Sequence, residues 1–448
     1  MTSSDDRSDK GRDATEWVEP DSAVGPAWWE DSKLRDERAR YQVEAIVDAL
    51  GGPGLVGVVS SSWNNERGHE EEVEVDSSRY GEMVYMFRRG RILTRDEDVP
   101  RVLEIVGGRV GEGGIGGVSV LVVDDAMGAL AQVDQVLGSG VVYPDHVVHV
   151  TSLNGGACPA TEPLPTKQAE PYPLRKAGGQ CDGSAVSLSL IDTGFDNKLA
   201  AQTWWLQDGV AGEQESYDRD HMIPYVGHGT FAAGMVRAMA IRAEIFVYGF
   251  LRDGGAIFES DILDSFQRAL LAAPDIVSMS AGTYSRGNLG LLGFRVLWEK
   301  YAPKGTVLIA AAGNDRERKP FFPAAAEFAI GVGALDQDGS RAAYTNYGGW
   351  VDVYALGSDV VNAFPTGTYD YQQPPMRGKH ARFENGVAMW SGTSFSTPLV
   401  AGVVAARMSR TGENGQQAAK AIVALAQANA TPGVGAVVEP WMACPSDE

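Results

Sequence analysis

Cysteine is scarce in this chain: three residues, Cys158, Cys181 and Cys444, among 448. An odd, widely spaced set fits neither a disulfide framework nor the ligand spacing of a zinc site. Free thiols in a reducing compartment are expected, with a Cys158 to Cys181 bridge as the alternative for an exported protein. Positive charge is scarce as well. Lys and Arg number 38 against 59 Asp and Glu, a formal net charge of -21. With no basic stripe to offset that excess, the surface repels phosphate, which argues against nucleic acid as a partner. Long apolar runs are missing too. None approaches membrane-spanning length, and the polar start MTSSDDRSDKGRDATEWVEPDS has no signal-peptide core. No membrane association and a cytoplasmic location are therefore expected, with export by another route left open.

What is present is ordinary for a folded protein: 44% hydrophobic and 22% charged residues, in a chain long enough for two domains. Most basic residues are Arg, and Gly and Ala are abundant, a composition typical of GC-rich bacterial genomes. Residues 1–30 lack hydrophobic periodicity and read as a disordered tail. From Asp31 to Leu50, apolar residues recur at helical spacing until Gly51-Gly52-Pro53 stops them. Between about Gly81 and Thr151, β-rich runs (MVYMFRRGRILT, VSVLVVDD, VVYPDHVVHV) alternate with helical ones (VPRVLEIV, AMGALAQVDQVLG). Residues 31–155 are thus expected to hold a small α/β domain, with helices on one face of a mostly antiparallel sheet. Residues 156–183, rich in Pro, Gly and polar side chains, read as a linker. A catalytic domain is expected over 184–430, where apolar strands such as VSLSLID, DIVSMSAG and TVLIAAAG alternate with helices. That pattern implies a doubly wound α/β fold around a mostly parallel sheet. Residues 431–448 read as a C-terminal tail.

Three segments of the larger domain carry chemistry. In LIDTGFD, Asp192 ends a buried strand where the chain turns, a place where backbone N–H groups can hold a carboxylate ionised. The same Asp-Thr-Gly also occurs in aspartic proteases and in ordinary strand-to-turn connections. In GHGTFAAGMV, His228 opens a helix whose Ala232, Ala233 and Gly234 permit close packing. Neutral imidazole suits proton transfer near neutral pH, although a lone His is commonly a structural residue. His146, His149, His221 and His380 are read as structural. In SGTSFSTPLVAG, Ser394 precedes a helix expected to start near Thr397, with Pro398 in its first turn. A hydroxyl there is exposed, and its own N–H can face a developing oxyanion. A plain Ser/Thr cap box with Pro is the alternative.

The three motifs, in the order Asp, His, Ser, together resemble those of the subtilisin-like serine peptidases, and the resemblance covers about Ala185 to Arg410. It implies that Asp192, His228 and Ser394 form a catalytic triad and that Asn314, in VLIAAAGND, is the side-chain donor of an oxyanion hole. It also implies that Ser280, Ala281 and Gly282, in IVSMSAGT, pair with an extended peptide substrate. Phe321, in FFP, would line the primary specificity pocket and make it shallow. Phe231 stands where that family often has a second His. The calcium-binding insertion that often follows the His helix is absent, so no metal and no cofactor is expected. The preceding α/β domain resembles the family's propeptide, which implies contact with the catalytic domain; an unrelated accessory domain is the alternative. The function expected is a serine endopeptidase acting through an acyl-enzyme. The competing reading is an inactive or inhibited binding protein of the same fold. An α/β-hydrolase esterase would need a G-x-S-x-G elbow with its acid after the serine, and Ser394 has neither.

Overall fold

The computed structural model describes residues 17–21, 31–61, 70–73, 83–150, 160–175, 181–251 and 253–444. The expected first helix is α1 (Ser32–Ala49), capped by the Asp31 side chain, which accepts from Lys33 N and Leu34 N. It is followed by β1 (Val56–Ser61), β2 (Glu70–Val73), β3 (Met83–Arg95), α2 (Val99–Val106), β4 (Arg109–Val110), β5 (Val118–Val122), α3 (Ala126–Leu137) and β6 (Val142–His149). The strands pair antiparallel in one sheet. Alternation along β3 decides what covers each face. Tyr85 and Phe87 pack with Val102 of α2 and Leu130 and Val133 of α3. Met86, pointing the other way, joins Val43, Ile46 and Val47 of α1. Helices therefore cover both faces of this sheet, not one as expected, because α1 folds back over the second face.

The second sheet is parallel throughout, in the order β14-β13-β12-β11-β7-β9-β8. Its elements run β7 (Ser187–Asp192), α4 (Asn197–Ala200), β8 (Val210–Gly212), α5 (His228–Met239), β9 (Glu244–Gly249), β10 (Ala256–Phe258), α6 (Glu259–Leu271), β11 (Ile276–Met279), α7 (Leu292–Tyr301), β12 (Val307–Ala311), β13 (Ala329–Leu335) and β14 (Val353–Leu356). Two hairpins' worth of short strands follow: β15 (Val360–Ala363), β16 (Gly367–Asp370), β17 (His380–Phe383) and β18 (Val387–Trp390). The last helices are α8 (Thr393–Thr411) and α9 (Gly415–Ala428). From β7 the chain first builds outward through β8 and β9, then crosses back to β11. The carboxyl end of β7 is thus a topological switch point, where sheets of this kind open a crevice. Helices α5 and α8 pack against each other, and every residue of α5 is buried. The contact is close because a Cβ on Gly402 would lie 2.6 Å from the Val236 carbonyl oxygen. Helices α6 and α7 pair through Phe266 and Phe294.

The two sheets are stitched together. Strand β10, although it follows β9 in the chain, pairs antiparallel with β6 and forms the edge of the first sheet. Asp145 of β6, fully buried, accepts from Ser260 N at 2.8 Å and Ser260 Oγ at 2.6 Å and so caps α6, whose own N-cap, Phe258, makes no side-chain bond. His146 Nδ1 lies 3.3 Å from Glu259, whose other oxygen accepts from Gly293 N of α7.

Four expectations are corrected. Residues 160–175, read as linker, are built into the body: Leu164 pairs with Met389 and Tyr172 with Val361, adding extended chain to both edges of the β15–β18 pair. Unpaired strand edges attract any nearby extended segment, and a Pro-rich one can still pair at alternate residues. The described part of the tail, 17–21, is anchored where Val18 N donates to His380 O and Asp21 accepts from Thr166 Oγ1. At the other end, Val438 and Ala436 pair with Tyr354 on the β14 edge. Cys181 and Cys444 are not free thiols but form a disulfide, with Cα atoms 6.3 Å apart. Spacing along the chain could not show that the end of the chain folds back beside the start of β7; Cys158 lies outside the described residues.

Candidate active site

Asp192 is the last residue of β7, and its Oδ1 accepts two hydrogen bonds, from Thr193 N at 2.8 Å and from His228 Nδ1 at 2.6 Å. His228 is the first residue of α5. With Nδ1–H donated to a carboxylate, the imidazole keeps its basic nitrogen at Nε2. That atom is buried and has no hydrogen-bond partner among the described residues. Ser394 Oγ donates instead to the Ser280 carbonyl at 3.4 Å. The Asp and His halves of the expected triad are joined, while the Ser and His halves are adjacent in function but not bonded. Catalytic hydrogen bonds commonly tighten only when substrate arrives.

An aromatic cage surrounds the imidazole. Trp390 meets it edge-on at 5.6 Å and Phe395 lies 5.3 Å away, with Phe231 packed 4.4 Å from Phe395. Phe231, the departure from the resembled family, is thus a wall of this cage. Apolar rings exclude water and strengthen every electrostatic interaction inside. Asp192, His228, Asn314 and Ser394 are all buried.

Helix α8 starts at Thr393, four residues earlier than expected, so Ser394 lies within its first turn, with the orphan N–H groups and the positive end of the helix dipole around it. Its N-cap, Gly392, makes no side-chain bond, and Asn314 supplies the cap from the end of β12: Asn314 Oδ1 accepts from both Thr393 N and Thr393 Oγ1 at 2.9 Å. Those two bonds fix which end of the amide faces the helix and turn its NH₂ away from Thr393.

Of the expected substrate-contact residues, Ser280 and Ala281 are buried beside Ser394, while Gly282 is already paired. Gly282 N donates to His149 O, and His149 N to Gly282 O, both at 2.9 Å. Val150 N donates to Gly255 O at 3.0 Å. The end of β6 therefore lies as an added strand where a peptide substrate was expected. Phe321 packs edge-on against His149 and Tyr284, at 5.9 and 5.2 Å. The described chain resumes at Ala160, whose N–H donates to Ser391 O at 3.1 Å, close to Ser394.

Sequence reasoning missed Trp390, Phe395 and Glu215. The first two flank the serine motif, and their ring character was the available signal. Glu215 had none. Both its oxygens lie 3.1 Å from Gly227 N, and burial, reinforced by the charges of Asp192 and Asp196, pushes its carboxyl up to about 8. Among the described residues no group of three or more His, Cys, Asp or Glu is placed to hold a metal ion.

The Subtilase family model matches residues 183–436, more than half of the chain. The chain belongs to the subtilase family. The thermophilic serine proteinase of Bacillus sp. (strain AK1) is 30% identical over 249 residues, covering 53% of this chain and 56% of that protein. Thermitase of Thermoactinomyces vulgaris is 29% identical over 233 residues, covering 50% of this chain and 74% of thermitase. The chain thus spans between about half and three quarters of the length of these relatives. Among solved structures, fervidolysin from Fervidobacterium pennivorans, described as a keratinolytic enzyme related to subtilisin, superposes with a TM-score of 0.55 at 18% identity, covering 81% of this chain and 61% of that one. That likeness bears on fold, and it supports the subtilisin-like α/β architecture.

Proposed function

We propose that this subtilase is a serine endopeptidase in which Asp192, His228 and Ser394 form the triad. The observation that carries the reading is the 2.6 Å Asp192 to His228 bond beside Ser394 at the start of α8. His228 Nε2 takes the Ser394 proton as Oγ attacks the scissile carbonyl, and Asp192 stabilises the imidazolium that forms. The tetrahedral oxygen is held by Ser394 N–H and the Asn314 amide, donors whose interaction strengthens as charge develops. His228 then returns the proton to the leaving amine, and water resolves the acyl-enzyme. The substrate binds as an extended strand along Ser280, Ala281 and Gly282, in β-augmentation, with Phe321 limiting pocket depth.

The pairing of His149 with Gly282 favours a second reading, in which the same enzyme is held inhibited by its own N-terminal segment. Under that reading self-cleavage falls between the described Val150 and Ala160, because 160–175 are tied to β15 and β18. Fluorophosphonate labelling tests the first reading: Ser394 is labelled in wild type and nothing in Ser394→Ala, and labelling elsewhere overturns it. Gels with N-terminal sequencing test the second. A cut within 151–159 in wild type but not in Ser394→Ala supports self-processing, and an intact, active wild type rules it out. A catalytically silent binding protein would neither label nor cut.

A further inference from the structure

Helix α5 begins with glycines on both sides of its histidine, and packing demands them. A Cβ on Gly229 would lie 2.2 Å from the Gly194 carbonyl oxygen, and one on Gly227 would lie 2.4 Å from Pro365 Cδ. Gly227 also sits at φ +77°. Glycine is the most permissive backbone residue, so the close approach comes with a loosely held first turn. Gly227 as N-cap, moreover, has no side chain to accept the helix's orphan N–H groups.

Glu215 meets both needs from outside the helix. Its two carboxyl oxygens each lie 3.1 Å from Gly227 N. On the other side of His228, Thr193 Oγ1 accepts from Gly229 N at 3.1 Å. The residues immediately before and after His228 are therefore each held by a side chain from the stretch after β7, Gly227 by Glu215 and Gly229 by Thr193. Glu215 itself is anchored in the turn after β7, since its N–H donates to Phe195 O at 3.1 Å. Asp192 grips only Nδ1 of the imidazole, a single bond about which the ring can still swing if its backbone moves.

We infer that Glu215 is a positioning residue for His228: it locks the first turn of α5 onto the turn after β7 and so sets the direction in which Nε2 faces Ser394. It touches neither substrate nor reacting atoms. The inference rests on the peptidase reading for its kinetic test but not for its structural one. Because burial keeps this carboxyl protonated through neutrality, what matters is an oxygen acceptor rather than a charge, and glutamine can stand in.

The kinetic arm compares Glu215→Ala, Glu215→Gln and Thr193→Val. Glu215→Ala lowers kcat about 10-fold to 100-fold, the cost of a small misplacement of a catalytic group, with KM nearly unchanged. Glu215→Gln recovers most of that loss, and Thr193→Val gives an intermediate one. The structural arm uses the downfield proton resonance of the Asp192 to His228 hydrogen bond in Ser394→Ala protein. It shifts or broadens when Glu215→Ala is added and is restored by Glu215→Gln. Unchanged kcat and resonance in Glu215→Ala overturn the inference, as does a folded Glu215→Gln that is as defective as Glu215→Ala. If Glu215→Ala does not fold, the near-isosteric Glu215→Met, which lacks the acceptor oxygens, takes its place: no change in either measurement overturns the inference. A wild type without turnover or Ser394 labelling refutes the peptidase reading, and the resonance still decides the role of Glu215.

Discussion

The Ser280 hydroxyl donates a 3.0 Å hydrogen bond to the carbonyl oxygen of Ser394. In a regular helix that carbonyl would accept from the N–H four residues on, but that residue is Pro398, which has none. Ser280, from the strand end expected to bind substrate, fills the vacancy, and Ser394 Oγ donates back to the Ser280 carbonyl. The helix turn of the proposed nucleophile and the strand end proposed to bind substrate are thus bonded reciprocally.

Removing the Ser280 hydroxyl leaves a buried carbonyl without its donor, at a cost of about 1–3 kcal/mol. In Ser394→Ala protein, which cannot cut itself under the proposed mechanism, Ser280→Ala is expected to lower unfolding free energy by that amount in denaturant titrations. With Pro398→Ala added, a backbone N–H becomes available to the same carbonyl, and the penalty of Ser280→Ala is expected to shrink. Additive penalties would contradict the account.

Asn314 caps Thr393 and, under the proposed mechanism, also serves the oxyanion, two duties that substitution can separate. Asn314→Ala is expected to lower kcat by about 10²–10³ with little effect on KM, and also to lose about 1 kcal/mol of stability with the cap on Thr393. Asn314→Asp keeps an oxygen acceptor for Thr393 but places negative charge where the oxyanion forms. Its stability should be close to wild type while its activity falls at least as far. Steady-state kinetics and denaturant titration on both variants check the separation.

Burial pushes Asp145 and Glu162 up to about 7. Between the ordinary carboxylate range and pH 7 the folded protein therefore binds more protons at these sites than the unfolded chain. Their contribution to stability is full below about pH 4 and is lost as pH rises through 7, each at no more than about 1.4 kcal/mol per pH unit. Asp145→Asn and Glu162→Gln are expected to flatten the fall in stability between pH 5 and 8. Denaturation midpoints across that range in Ser394→Ala protein give the test, and an unaltered slope would count against it.

The Cys181 to Cys444 bridge closes a loop of sequence separation 263. Constraining the unfolded chain over so long a loop stabilises by roughly 2–5 kcal/mol. Cys444→Ser, or reduction of the wild type, is expected to lower Tm, and reductant should leave the Tm of Cys444→Ser unchanged.

What the sequence made legible were the features set by local chemistry. A strand-ending Asp192, a Gly-flanked His228 and a Ser394 framed by Gly392 and Pro398 each stand in a short pattern, and the structure brings them to one switch point. The start of α8 was misjudged because Pro398 looked like a first-turn residue; a side chain distant in sequence, Ser280, lets it sit deeper. Residues 160–175 looked like linker because Pro recurs among polar side chains, yet partners for their backbone existed on β15 and β18. Glu215 and the disulfide depend on which distant segments meet, and no local pattern records that.

Strand β10 also bears on the order in which the chain leaves the ribosome. Its partner β6 is synthesised more than a hundred residues earlier, so the antiparallel sheet, with its shorter-range pairings, is expected to form before Ala256–Phe258 emerges. When it does, an edge is waiting, and Asp145 stands ready to cap the helix that follows. The start of α6 is then pinned while β11 to β14 are still unmade. Moving residues 31–150 to the other end of the chain would leave β6 able to pair with β10 yet reverse that sequence of events, and would be expected to slow folding more than it lowers equilibrium stability.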